Sequence, residues 1–174
     1  MTRTLTRRFA TAAIGACTVA LVAPLAHADS SAPGITREQE IANAQAWLTA
    51  NDGGPVPYSQ TSDWSDGYRQ DCSGYVSMAL GLPADGPNTV ELVNDGWVTP
   101  IAMSDLRQGD LVINIDGDSR HRHVVIFDHW TDDSDQSYWA YEQAGGIGTE
   151  YDQESYGVSG GDDYQAYQPD NLTD

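Results

Sequence analysis

Cys72 sits in the run Tyr68-Arg69-Gln70-Asp71-Cys72-Ser73-Gly74-Tyr75, just ahead of apolar residues. Tyr75, Val76, Ala79 and Leu80 give one apolar face, and Gly81 and Pro83 are stop signals, so a helix is expected from Cys72 to about Leu80. A cysteine opening a helix places its sulfur beside unpaired backbone N–H groups, at the positive end of the helix dipole. That placement stabilises negative charge on sulfur. The same N–H groups can bind the oxyanion formed when a thiolate attacks a carbonyl. Ser73 and Gly74 are small and are expected to let a substrate approach the backbone. A cysteine that only filled the core would more naturally lie midway along the inner face.

A thiolate nucleophile needs a base that can also protonate a leaving amine. His121, His123 and His129 follow Cys72. His123 opens the β-branched run "HVVIFDHW", where a strand would enter the core. His121 is closer to an Asp-Gly turn, and His129 lies at the far end beside Trp130. His123 is therefore the expected base. A third group normally fixes such an imidazole. The later segment "SYWAYEQAGG" offers Glu142 and Gln143, which point to opposite faces of a strand, so one of the two can serve. Periodicity does not choose between them. The competing use of these groups is a zinc site built on His121-x-His123 with Cys72 or a carboxylate. There is no second cysteine nearby, no His-Glu-x-x-His helix and no calcium-type Asp loop, so neither metal nor cofactor is expected.

These groups need elements to hold them. The first residues read as a secretory leader. Arg3, Arg7 and Arg8 form a positive start, Phe9 to Leu25 is mostly apolar, and Ala26-His27-Ala28 suits cleavage after residue 28. Pro24 and the polar sequence after it argue against a retained membrane anchor. Acylation at Cys17 is a weaker reading, because the apolar run continues past it. Arg7-Arg8 also fits twin-arginine export, though a bare pair is not specific. Cleavage would leave 146 residues with five basic and 26 acidic side chains, a formal charge of −21. Lysine is absent. Such a chain should be soluble and self-repelling, and should not seek nucleic acid or, once cleaved, a membrane through bulk charge. Cleavage also removes Cys17 and leaves Cys72 alone in an oxidising compartment, which favours a nucleophile, a buried inert thiol or a partner-seeking one.

Residues 29–36 read as a flexible lead-in, and residues 37–174 as one domain. Thr36 and Gln39 form a capping box for a helix, with Ile35 at the staple position and Ile41, Ala44, Trp47 and Leu48 on one face. Gly53-Gly54 is its expected end. A loop rich in Pro, Ser and Asp leads to Cys72. Beyond it come one helical turn near Thr89–Val93, a short turn, and strands at 111–115, "HVVIFDHW", "SYWAYEQ" and "DDYQAYQP". Helices followed by an antiparallel meander imply an α+β fold.

Three segments, "DCSGYV" (71–76), "DLRQGDLV" (105–112) and "HVVIF" (123–127), in this order and spacing, resemble the NlpC-type cell-wall cysteine peptidases of the papain-like superfamily. The resemblance spans roughly residues 37–168. It implies a papain-like fold, with N-terminal helices packed on a central antiparallel sheet. It implies a secreted enzyme, extracellular or wall-associated and monomeric. Its expected substrate is peptidoglycan or its peptide fragments, with cleavage at bonds such as that between D-glutamate and a diamino acid. The roles would fall on Cys72, His123 and Glu142. The related CHAP amidases often carry the third residue in a Glu-Gln step, which resembles Glu142-Gln143. Family members often have a tyrosine before the cysteine in a Pro-Tyr-x-Trp-Gly-Gly-like stretch. Here "VPYSQTSDWSDGY" supplies Tyr58 with the Trp-Gly-Gly part stretched. Tyr58, with Asp71 and Ser73 flanking the thiol, makes up the expected substrate-binding set. A second class of function is a non-wall effector on the same scaffold: a protein-modifying deamidase, a toxin or a binding protein. The acidity and the altered tyrosine loop motivate it.

Overall fold

A computed structural model describes residues 32–173. The expected leader, residues 1–28, lies outside the described residues. Helix α1 spans Arg37–Ala46. Thr36 caps it: its Oγ1 accepts the Gln39 N–H at 3.2 Å, and Gln39 Oε1 accepts the Thr36 N–H at 3.2 Å. Ile35–Thr36 (β1) pairs in parallel with Leu172–Thr173 (β8), so the end of the lead-in is tied to the end of the chain. The helix stops well before Gly53-Gly54. Those glycines instead belong to a tight turn in which Asn51 and Gly54 exchange backbone hydrogen bonds at 2.9 and 2.8 Å. The early stop turns Trp47 inward, where it is 2 % exposed and donates Nε1–H to Asp66 Oδ2 at 2.8 Å.

Helix α2 spans Cys72–Ala79, close to the expected range. All of its residues except Met78 are buried. A short helix buried nearly all round, with its two serines hydrogen-bonded, belongs inside a fold rather than on it. It packs against two strands, β4 (His123–Trp130) and β5 (Tyr138–Ala144), while α1 packs on α2. Helix α3 is Thr89–Asn94, capped by Asn88. The remaining strands are β2 (Val98–Ile101), β3 (Leu111–Asn114), β6 (Gly148–Glu154) and β7 (Gln165–Pro169). They join β4 and β5 in one sheet of order β2-β7-β3-β4-β5-β6, antiparallel at every pairing. The fold is α+β. Among the described residues, no helix is long and apolar enough to cross a membrane.

Strand alternation divides the core in two. Leu111, Ile113, Val124, Ile126, Tyr141 and Tyr167 face the helices. Val112, Val125, Phe127, Tyr138, Ala140 and Ala166 face the other way, under Leu106 and a flap of loop that includes Tyr156 and Tyr164. Each fully buried aliphatic side chain contributes about 1.5–3 kcal/mol. The β-branched runs in β3 and β4 are therefore a large share of what holds the sheet to α2. Strands β2 and β6 were not foreseen from the sequence. They are the two edges of the sheet, where apolar alternation is weakest and where Pro100 and the acids of β6 also block further strand pairing.

Gly74 has a different role from the one expected. An alanine Cβ there would overlap the backbone carbonyl of Arg69, so the missing side chain makes room for the preceding loop, not for substrate. Gly74→Ala is expected to lower stability by about 1–3 kcal/mol, as overpacking in a filled core does. Urea denaturation followed by circular dichroism checks this, and an unchanged midpoint would mean that the start of α2 can move away from Arg69 at little cost.

Candidate active site

The start of α2 is fixed by a single carboxylate. Asp71 Oδ1 accepts the Gly74 N–H at 2.6 Å and the Ser73 hydroxyl at 3.1 Å. Its Oδ2 pairs with Arg69 Nε at 3.2 Å. Arg69 then reaches the Ser73 Oγ at 3.1 Å and the carbonyls of Gly86 and Pro87 at 2.7 and 3.1 Å. Asp71 and Ser73 were expected to touch substrate. The geometry gives their polar atoms to this cap, although both residues line the cavity beside Cys72. Capping by Asp71 satisfies Gly74, and Tyr75 N–H bonds the Asp71 carbonyl at 2.9 Å. The N–H groups of Cys72 and Ser73 precede the first intrahelical bond and stay available to an anion.

Cys72 is 6 % exposed and lines a cavity of about 350 Å³ with Tyr58, Asn88, Thr89 and Arg122. Its Sγ lies 3.7 Å from the Thr89 hydroxyl. Thr89 opens α3, which gives that short helix a place in the site that the sequence did not suggest. No disulfide engages Cys72.

His123 begins β4 and lines a second cavity, of about 580 Å³, with Glu142, Tyr156 and Tyr164. Its Nε2 lies 2.6 Å from Glu142 Oε2. The register that pairs Ile126 with Tyr141 sets Glu142 opposite Val125, so His123 and Glu142 share one face on a diagonal. Gln143 points the other way. Its Nε2 donates to the carbonyls of Val56, Pro57 and Gln70 at 3.3, 3.1 and 3.2 Å, and its Oε1 accepts the Thr149 hydroxyl at 2.6 Å. One strand thus uses adjacent residues for two tasks. Glu142 meets the imidazole, and Gln143 anchors the loop that carries Tyr58.

Burial by itself would lower the His123 pKa. Hydrogen bonding to Cys72 and to Glu142, together with their negative charge, outweighs it and pushes the value up to about 10. With Nε2 occupied by Glu142, Nδ1 is the nitrogen left to exchange a proton with sulfur. Glu154, at the end of β6, is raised to about 7 by burial first and then by the Glu142 carboxylate, to which it hydrogen-bonds. His123 and Glu142 therefore sit beside a carboxyl group whose pKa is pushed up to about 7. Tyr156 meets the His123 ring edge-on at 6.0 Å between centroids and stacks on Tyr164 at 4.4 Å, closing this side.

Tyr58 lines both cavities. Burial raises its pKa, a hydrogen bond from Gln60 lowers it, and Cys72 and Asp71 raise it again. Its oxygen accepts the Gln60 Nε2 at 3.1 Å, which leaves its own proton to offer. Gln60 also donates to the Ser119 carbonyl at 2.8 Å and so ties the loop before α2 to the loop before β4. His121 is on the rim of the larger cavity and His129 lies away from it; each is exposed and bonded to a neighbouring aspartate, Asp118 and Asp128 respectively, at 2.9 and 2.8 Å. Among the described residues, no group of three or more His, Cys, Asp or Glu is placed to hold a metal ion.

Thr89, Glu154, Tyr156, Tyr164, Gln60 and Arg122 were not foreseen as site residues. Most had no signal, since they arrive from loops and element ends whose placement depends on the whole sheet. Arg122 had one: residues 120–123 are four consecutive basic side chains in a strongly acidic chain. No family model matches the chain, and no curated protein matches its sequence.

Glu142→Gln removes one of the groups that keep the proton on His123. The His123 titration midpoint, followed by imidazole NMR signals, should fall below about 10 in the variant. An unchanged midpoint would mean that Glu142 orients the ring without charging it.

Proposed function

We propose that the chain is a secreted cysteine hydrolase of papain-like topology, cleaving amide bonds in peptidoglycan stem peptides outside the cell or at the wall. Its papain-like arrangement would be a buried helix carrying the nucleophile, packed on an antiparallel sheet that carries the base and its orienting group. The observation that supports this best is the 2.6 Å contact between His123 and Glu142, on an imidazole that also feels the Cys72 sulfur. Nucleophile, base and orienting carboxylate are the parts that acyl transfer requires.

In this reading the Cys72 proton resides on His123, held there by Glu142. The sulfur attacks the amide carbonyl, and the carbonyl electron pair moves to oxygen. The free N–H of Cys72 at the start of α2 and the Tyr58 hydroxyl are the donors placed to receive that charge. As the C–N bond breaks, His123 gives its proton to the departing amine, leaving a thioester on Cys72. Water then attacks the thioester, His123 takes its proton, and the acid departs as sulfur is expelled. Half-buried His123 and buried Glu142 would hold their geometry through both halves without reorganising.

The test is incubation of residues 29–174 with purified wall fragments and mass spectrometry of new amines. Product is expected from the native chain and none from Cys72→Ala, while His123→Ala should cost roughly 10²- to 10⁴-fold in rate. Both variants should keep the native circular dichroism. Rapid alkylation of Cys72 with no wall product would move the assignment to another amide, such as a protein glutamine. Product formed equally well by Cys72→Ala would end it.

A further inference from the structure

The two cavities are arms of one cleft, since Tyr58, Gln60, Ser119 and Arg122 line both. Cys72 opens into one arm, and His123 with Glu142 into the other. Arg122 is the cationic side chain common to both. Strand alternation explains its direction: His123, Val125 and Phe127 face away from the helices, so Arg122 continues the Val124 and Ile126 face, toward the start of α2.

Arg122 is half-buried, and one of its guanidinium nitrogens lacks a partner inside the protein. Its Nε is buried and has no hydrogen-bond partner, and among the described residues no ion pair reaches the side chain. Leaving a charged donor desolvated and unpaired is costly, and it is normally satisfied by a protein group, water or a ligand. The cleft's acids are already engaged: Glu142 on His123, and Asp71 on Arg69 and the α2 cap. Arg120 and His121 stand on the same rim, each bonded to Asp118. The cleft thus gathers Arg120, His121, Arg122 and His123 in a chain of net charge −18. A guanidinium presents a planar fork of donors that matches a carboxylate with two parallel bonds.

We propose that Arg122 is a specificity-determining residue that binds a free carboxylate of the substrate next to the scissile amide, so that the site selects acidic peptides over their carboxamide counterparts. This rests on the hydrolase reading for its kinetic consequence but not for the binding itself. A carboxylate held at Arg122 sits in the cleft that Cys72 and His123 both border, so the neighbouring carbonyl is kept within that cleft. An amide at the same place returns only part of the hydrogen bonding and none of the charge.

Two measurements separate this proposal from the function it builds on. The first compares cleavage of two γ-glutamyl-diamino acid peptides, one with the α-carboxylate free and one with it amidated. The native chain should prefer the acid by on the order of tenfold or more in kcat/KM. Arg122→Gln should collapse that ratio toward one, and Arg122→Lys should keep part of it, because the charge survives while the fork is lost. The second titrates N-acetylglutamate and follows the Arg122 Nε–H resonance in the catalytically silent Cys72→Ala chain. A saturable shift, lost when Arg122→Gln is added, is expected, with the His123 signals of both chains reporting an intact fold. Binding without any cleavage would sink the hydrolase assignment and keep the carboxylate site. Cleavage with no acid preference, or no shift at Arg122, would overturn the carboxylate site and leave the hydrolase assignment standing.

Discussion

The Asp71 carboxylate decides where α2 begins, and the rest of the site is measured from that point. It takes the N–H and hydroxyl of the first turn on one oxygen and Arg69 on the other. Arg69 carries the connection on to the loop before α3, whose Thr89 stands against the sulfur. A carboxylate at the N-cap does double work, because it satisfies orphan donors and interacts favourably with the helix dipole. Gly74 completes the constraint by letting the Arg69 backbone cross the first turn in contact. The position of Cys72 is thus set by residues whose own polar atoms are engaged in the cap.

The other half of the site is set by the pleat of the sheet. Side chains on a strand alternate strictly, so Glu142 and Gln143 cannot reach the same neighbour. The sheet face away from the helices receives Glu142 and, through the β4 register, His123. The face toward the helices receives Gln143, which gathers three carbonyls from the two ends of the loop before α2. Shifting β5 by one residue would exchange the two tasks and leave a buried carboxylate facing carbonyl oxygens. The apolar residues of β5 hold the register against that slip: Tyr138 and Ala140 pack on one side and Tyr141 on the other.

Local chemistry was the most readable part of the sequence. The Thr36–Gln39 box, the start of α2 at Cys72, and the strands beginning at Leu111 and His123 follow from caps and β-branched runs, which act over a few residues. The sheet edges were not readable, because β2 and β6 owe their strands to a partner more than to their own composition. Gly53-Gly54 misled as a helix end, since glycine serves a tight turn as readily as a C-cap. The choice of Glu142 over Gln143 could not come from periodicity, which gives opposite faces without saying which face meets His123. Asp71 and Ser73 illustrate a different limit. Polar residues beside a cysteine look like ligand contacts in sequence, and the sequence does not show that the helix start also engages them.

Charge works in opposite directions at two distances. At long range the excess of acids makes the surface potential negative, which disfavours approach of an anionic peptide. At physiological ionic strength that repulsion fades over about 8 Å. Within the cleft the balance reverses, because Arg122 faces both arms while Glu142 and Asp71 are neutralised by their partners. Low exposure there weakens screening and strengthens every contact made. On the proposed reading, a site built this way would gain little from steering and much from fit: an anion would be held only once it had shed water and reached the guanidinium. On the proposed reading, that same step would carry a peptide carbonyl to Cys72, so recognition and chemistry would depend on one docking geometry rather than on attraction from a distance.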